Sequence, residues 1–347
     1  MRKLLRVLLL VAGAEFATGA GAADVTPINI SYQPALYWSV PYYIAAEKHW
    51  WEEAGLKPSF STFPAGAPQV AASASKSWDV GGMGSVPALL GAARYHLLTI
   101  GITNDESAAN LLMASKASYE KFSKDPKLIK GQQILLTSNS TGDYAVTACL
   151  EKWGLAKTDV RIVNLGQAQI ISAISSGNGE LAGVWAPNNY TLEEKTGART
   201  LCTGKDAGAV IPGALVARAD YAQEHPELVA RYLAVFVRTV AWMREHRAET
   251  VQMMQKFYQQ GGVILPDKYL NVEIDTRPMY DLSQQLQIMN RSQGPSKVDL
   301  WMNKIAGFMQ SVGVISSIPD VKGYVAPQYM EAVQSDSKLR AFATPGK

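Results

Sequence analysis

Hydrophobic positions along the chain fall into two alternating rhythms. Short apolar or period-two runs predict strands at 27–32, 56–63, 80–83, 134–137, 160–164 and 181–185. Helical spacing between them predicts helices at 40–54, 86–95, 144–153 and 168–175, with a small-residue helix after Pro64-Ala65-Gly66-Ala67-Pro68. Strand–helix alternation of this kind predicts an α/β fold, a mostly parallel sheet flanked by helices on both faces. Beyond Pro226 the rhythm changes to long helices, at 227–247, 248–260 and 297–312. A length of 347 residues exceeds the roughly 250–300 that one core accommodates, so two lobes are expected.

The first 23 residues follow a different pattern. Arg2, Lys3 and Arg6 precede a short apolar run at 7–14, and small residues follow, ending at Gly21-Ala22-Ala23. This is the layout of a cleaved secretory signal peptide, and the run is too short to span a bilayer. No later stretch is long and apolar enough to do so. The expected destination is an oxidising compartment, most simply a bacterial periplasm. The formal net charge is +3, and removing 1–23 leaves the remainder nearly neutral. With no basic block, nucleic acid is excluded as the expected partner. Two cysteines and four histidines cannot build a zinc ribbon or an iron–sulfur centre, so no cofactor is expected and cofactor-free binding of a small molecule by a monomer is favoured.

In open parallel sheets, ligands bind beyond the carboxyl ends of the strands. The loops there contain Gln33, Tyr37 and Trp38; Gly66 and Ala67; Gly84 and Ser85; Ser140 and Thr141; and Trp185 and Asn188. Several of these loops open helices, whose first N–H groups lack partners and hold anions, and the hydroxyls would add donors. None of the five contains Arg or Lys, so neutral dipoles would have to do the holding. Each residue also has a plainer reading. Ser85 and Ser140 could be helix caps, the aromatics could be core, and Asp105-Glu106 could be a solvated crossover. Cys149 on a helix and Cys202 at a strand end could form a bridge worth roughly 4 kcal/mol, but spacing alone leaves that open.

Four segments in order, Ser140-Thr141-Gly142-Asp143-Tyr144, Leu150-Glu151-Lys152-Trp153-Gly154-Leu155, 160–165 and Gly183-Val184-Trp185-Ala186-Pro187, resemble one lobe of the solute-binding proteins of ABC importers. The taurine, alkanesulfonate and nitrate branch is the most similar. Tyr32-Gln33, Gly82-Met83-Gly84-Ser85 and the run 216–227 extend the likeness over about 26–250. The resemblance implies the two-lobed type II periplasmic-binding-protein fold, with lobe one at 24–103 plus 221–347 and lobe two at 104–220, crossing near Thr103 and Arg218. It also implies a ligand in the interlobe cleft and delivery to an inner-membrane ABC permease, with no chemistry performed. Gln33, Gly84, Ser85, Ser140, Thr141 and Trp185 are the implied cleft residues. Asp143 stands where taurine-type members carry histidine, and 211–215 lacks the acidic residue that meets a ligand amine; Asp105 or Glu106 is the substitute on offer. The expected ligand is a small organic anion of the sulfonate class, its apolar part covered by Tyr37, Trp38 and Trp185. Alternatives are nitrate, an aromatic acid, a pyrimidine, a sensing role, or a thiamine-precursor enzyme on the same fold. The absence of Cys and His from the five loops speaks against the enzyme.

Overall fold

The computed structural model describes residues 25–346, so the segment 1–23 lies outside the described residues. Ten strands form two five-stranded sheets. They are β1 (Thr26–Tyr32), β2 (Leu56–Thr62), β3 (Val80–Gly84), β4 (Leu97–Asp105), β5 (Asn110–Ala114), β6 (Gln133–Leu136), β7 (Arg161–Asn164), β8 (Leu181–Trp185), β9 (Arg199–Thr203) and β10 (Pro212–Arg218). The first sheet runs β2-β1-β3-β10-β4 and the second β7-β6-β8-β5-β9.

Each sheet is parallel except for one strand, β10 in the first and β5 in the second, each antiparallel to both neighbours. Both exceptions have one cause. A chain leaving β4 at the carboxyl edge of the first sheet enters the second at its facing carboxyl edge, so β5 must run away from the cleft. β10 makes the return trip under the same constraint. The first sheet therefore takes Pro212–Arg218, residues the sequence-based limits put with the second lobe.

Strands buried on both faces read as largely apolar runs, and the inner strands β5, β6, β8 and β10 do, while the edge strands β2, β7 and β9 are partly exposed. In the second sheet Leu112, Ile134, Leu136 and Leu181 face one core, with Phe122, Val146 and Leu150. Leu111, Met113, Leu135 and Val184 face the other, with Ile170, Ile174 and Leu192. In the first sheet, Leu215 and Ala217 join Ile28, Ile30 and Val80 against the helix Pro226–Glu245, while Ala214 and Val216 face Val70, Trp78 and Met83. The C-terminal helices that the long apolar periods predicted wrap this sheet, and Lys297–Ser311 packs Met302, Ile305 and Met309 against Val86, Leu89 and Leu90.

The helix predicted at 40–54 starts earlier, at Leu36–Glu47, and after His49 (φ 58°) a short turn of helix, Trp50–Glu53, follows. Proline usually marks a first turn, but here the helix runs through Pro41 and leaves the Tyr37 carbonyl without its intrahelical donor. Cys149 and Cys202 are joined by a disulfide with Cα atoms 6.1 Å apart, tying the helix Thr141–Lys152 to β9. Among the described residues no helix is long and apolar enough to cross a membrane.

Candidate functional site

The carboxyl ends of the parallel strands of both sheets face one another, with the amino ends of β5 and β10 among them, and the lobes touch through their loops. Gly84, at the end of β3, lies so close to the second lobe that a Cβ on it would stand 2.6 Å from Thr141 Cγ2. Ala35 and Trp38 from the first lobe pack with Trp185 from the second in a small apolar cluster. Further out, Tyr144 meets Phe308 (ring centroids 4.8 Å) and Tyr190 stacks on Tyr269 (4.9 Å).

Between the lobes lies a cleft of about 600 Å³. Tyr32, Gln33 and Pro34 line it from one side, Gln167, Trp185 and Asn188 from the other, and Phe257 and Tyr258 from a C-terminal helix. The cis peptide Ala186–Pro187 lies in the same wall. Among the predicted residues, Gln33, Trp185 and Asn188 therefore line this cleft. Gln33 is also tied to the scaffold: its Nε2 donates to Gln69 Oε1 (2.8 Å), and Gln69 in turn donates to Ser31 Oγ and the Gly82 carbonyl.

The predicted hydroxyls have different fates. Ser140 is the N-cap of Thr141–Lys152: its Oγ accepts from the Asp143 N–H (3.1 Å) and donates to the Thr137 carbonyl (2.7 Å). Its side chain is thus spent on the helix, as the plainer reading has it. Thr141 lies opposite Gly84. Ser85 occupies the first helical position after the cap residue Gly84, and its Oγ is fully buried with no hydrogen-bond partner.

Tyr37 and Trp38 belong to the first turn of Leu36–Glu47 rather than to the preceding loop, and both are buried. The Trp38 Nε1–H donor and the Tyr37 hydroxyl are likewise unpartnered. Gly66 answers to packing, since a Cβ there would collide with Pro87 at 2.4 Å. Ala67, in the same first helical turn, is half-buried. Asp105 serves its own turn, its Oδ1 accepting from the Ser107 N–H (2.9 Å). Glu106 is not a solvated crossover residue: it is fully buried and accepts from Arg277 Nη2 at 2.9 Å. Burial pushes its carboxyl up to about 8, against the pull of Arg277.

No Arg or Lys lies within these loops, but two cations from elsewhere reach residues at or beside them. Lys157 reaches the first turn of Thr141–Lys152 and pairs with Asp143 at 2.5 Å. Arg277, from the C-terminal region, lies over the Tyr37 ring at 5.5 Å. Both come from outside the loops, which is why a loop-by-loop reading misses them. Gln167 was also missed, although it follows Gly166 just beyond β7 and the rule about strand ends would have found it. Its Oε1 and the Oδ1 of Asn189 are buried and unpartnered. Among the described residues no group of three or more His, Cys, Asp or Glu side chains is placed to hold a metal ion.

A buried polar group without a partner costs about 1–3 kcal/mol, and native proteins hold few of them. Trp38 Nε1, Ser85 Oγ and Gln167 Oε1 are such groups, drawn from both lobes; Gln167 lines the cleft beside Trp185, on which Trp38 packs, while Trp38 and Ser85 are not in its lining. Two mixed sheets, two crossings and such a cleft define the two-lobed fold of the periplasmic binding proteins. The alkanesulfonate-binding protein SsuA from Xanthomonas axonopodis pv. citri, bound to MOPS, shares it with a TM-score of 0.71 at 21% identity, over 88% of this chain and 99% of that one. Residues 38–250 match the NMT1/THI5-like family, and the chain belongs to it. A protein of Bacillus subtilis (strain 168) named for aliphatic sulfonate binding is 31% identical over 277 residues, which cover 78% of this chain and 81% of that protein. The taurine-binding periplasmic protein of Escherichia coli (strain K12) is 29% identical over 231 residues, covering 65% and 68% respectively.

Proposed function

We propose that this protein binds a small organic anion of the sulfonate class between its lobes, in the periplasm, and delivers it as a monomer to an ABC permease. The lobes proposed are 25–105 with 212–346, and 106–211, meeting at the two crossings. The observation that carries the reading is the pair of buried, unpartnered donors, Trp38 Nε1 and Ser85 Oγ, in the helix starts that follow the first lobe's strands, with Trp38 packed on Trp185 of the second lobe and Gly84, next to Ser85, set against its Thr141. A ligand favours the closed form only by contacts it makes with both lobes at once, and these residues supply them. Trp38 and Trp185 give apolar cover that a sulfonate's carbon chain uses and bare nitrate does not. The names of the relatives point the same way.

Calorimetric titration with taurine, short alkanesulfonates and nitrate tests the reading. Saturable heat from at least one sulfonate, with none from nitrate, is the expected result. Silence from every sulfonate would end the ligand assignment.

A further inference from the structure

Glu106, Glu273 and Arg277 form a buried ion triad next to the cleft residues. Arg277 donates from Nη2 to Glu106 Oε1 (2.9 Å) and from Nη1 to Glu273 Oε1 (2.8 Å), and the three side chains are between 0 and 2% exposed. Tyr258 donates its hydroxyl to Glu273 Oε2 at 3.0 Å. With both carboxylates ionised, two negative charges face one guanidinium, where unbalanced charge is expensive. Glu106 Oε2 is buried and has no partner. The carboxylate also adjoins Trp38: a Cβ on Gly213 would stand 2.9 Å from both Glu106 Oε1 and Trp38 Nε1. The oxygen of Glu106 that Arg277 already holds and the orphaned donor of Trp38 therefore border the same spot, and the second oxygen of that carboxylate is left free.

The remaining surroundings supply no compensating cation to Glu106. Asp105 adds to the negative charge, while Asn110, whose Nδ2 donates to the Glu106 carbonyl, pulls the carboxyl down without supplying charge. Tyr37 and Tyr190, both neutral, feel the charges of Arg277 and Glu273, and Arg244 and Arg247 act on Tyr37.

We propose that this triad holds one exchangeable charge that selects the far end of the ligand, and that Glu273 sets its balance. A ligand carrying an ammonium meets ionised Glu106. A simple sulfonate enters only with a proton on Glu106, which then becomes a donor. Burial raises Glu273 as well, with Arg277 opposing, while the two carboxylates hold Arg277 charged although burial works against it. With Glu106 at about 8, both of its forms are accessible near neutrality. The proposal rests on the sulfonate reading of the cleft and assigns its charge selectivity.

The test measures the affinities of taurine and ethanesulfonate from about pH 6 to 8.5, where taurine keeps its ammonium, in wild type, Glu106→Gln and Glu273→Gln. Binding that requires ionised Glu106 strengthens about tenfold per pH unit below its pKa and then levels; binding that requires the protonated form is level first and then weakens about tenfold per unit. Opposite slopes for taurine and ethanesulfonate are therefore expected. Glu106→Gln should flatten both and favour ethanesulfonate. Glu273→Gln leaves Arg277 wholly to Glu106 and should move both break points to lower pH. Parallel slopes overturn the triad proposal and leave the sulfonate reading intact, whereas no binding of either compound overturns both. The ligand-free protein gives a separate check through thermal unfolding. A carboxyl raised in the folded state adds stability that is full below its unfolded pKa and fades as pH rises through the folded one. The margin of wild type over Glu106→Gln should thus shrink from pH 5 to about 8 and then hold; a pH-independent margin also overturns the proposal.

Discussion

Two helix starts confront each other where the lobes touch, Gly84-Ser85 from the first lobe and Ser140-Thr141 from the second, and they use the same residue type in opposite ways. Ser140 is outside its helix and caps it, with both of its hydrogen-bonding roles filled by Asp143 and Thr137. Ser85 is one position further in, past the cap, and its hydroxyl is fully buried with nothing to bind. The second start also carries a buried carboxylate already neutralised by Lys157. A serine at a strand–helix junction is therefore structural or available to a ligand according to a shift of one residue. On the proposed function, the first start recognises and the second supports.

The largest expected effect breaks the contact between the two starts. Gly84 has an ordinary φ of −69°, so Gly84→Ala strains nothing in the backbone and acts through the Thr141 side chain, whose methyl would stand 2.6 Å and hydroxyl 3.0 Å away. Overpacking of this kind costs about 1–3 kcal/mol, so ligand affinity should fall up to about a hundredfold. Thr141→Ser, which removes that methyl, should restore part of the loss in a double-mutant cycle read by calorimetry. Next comes Ser85→Ala. Loss of a ligand hydrogen bond should weaken binding by about tenfold, while the melting temperature holds or rises because an unpartnered buried hydroxyl has gone. An unchanged affinity would return Ser85 to the core. The smallest effect on binding belongs to Ser140→Ala, which should cost about 1 kcal/mol in denaturant unfolding and leave affinity within a factor of about two.

Much of the fold could be read before any coordinates, because strands buried on both faces carry unbroken apolar runs such as Ile134-Leu135-Leu136 and Leu181-Ala182-Gly183-Val184-Trp185. The start of the first helix was harder, since Pro41 looks like a first-turn proline and is an interior one. The separate fates of Ser85 and Ser140 could not be read at all, as both follow a strand and precede a helix, and only backbone placement tells cap from first turn. Arg277 and Glu273 gave no signal. They lie on the helical C-terminal stretch, about 170 residues from the Glu106 they surround, and nothing in local pattern links positions so distant. Glu106 itself was singled out, but its burial reverses the solvated reading that a charged crossover invites.

The position of β10 has a consequence for how the protein is made. β3 and β4 meet only through β10, so the first sheet stays split until residues 212–218 have been synthesised. The second sheet uses five consecutive strands, β5 to β9, and can assemble as soon as they exist. The lobe that begins first in the chain is the one that must finish last, waiting on a strand that arrives after its partner lobe is whole.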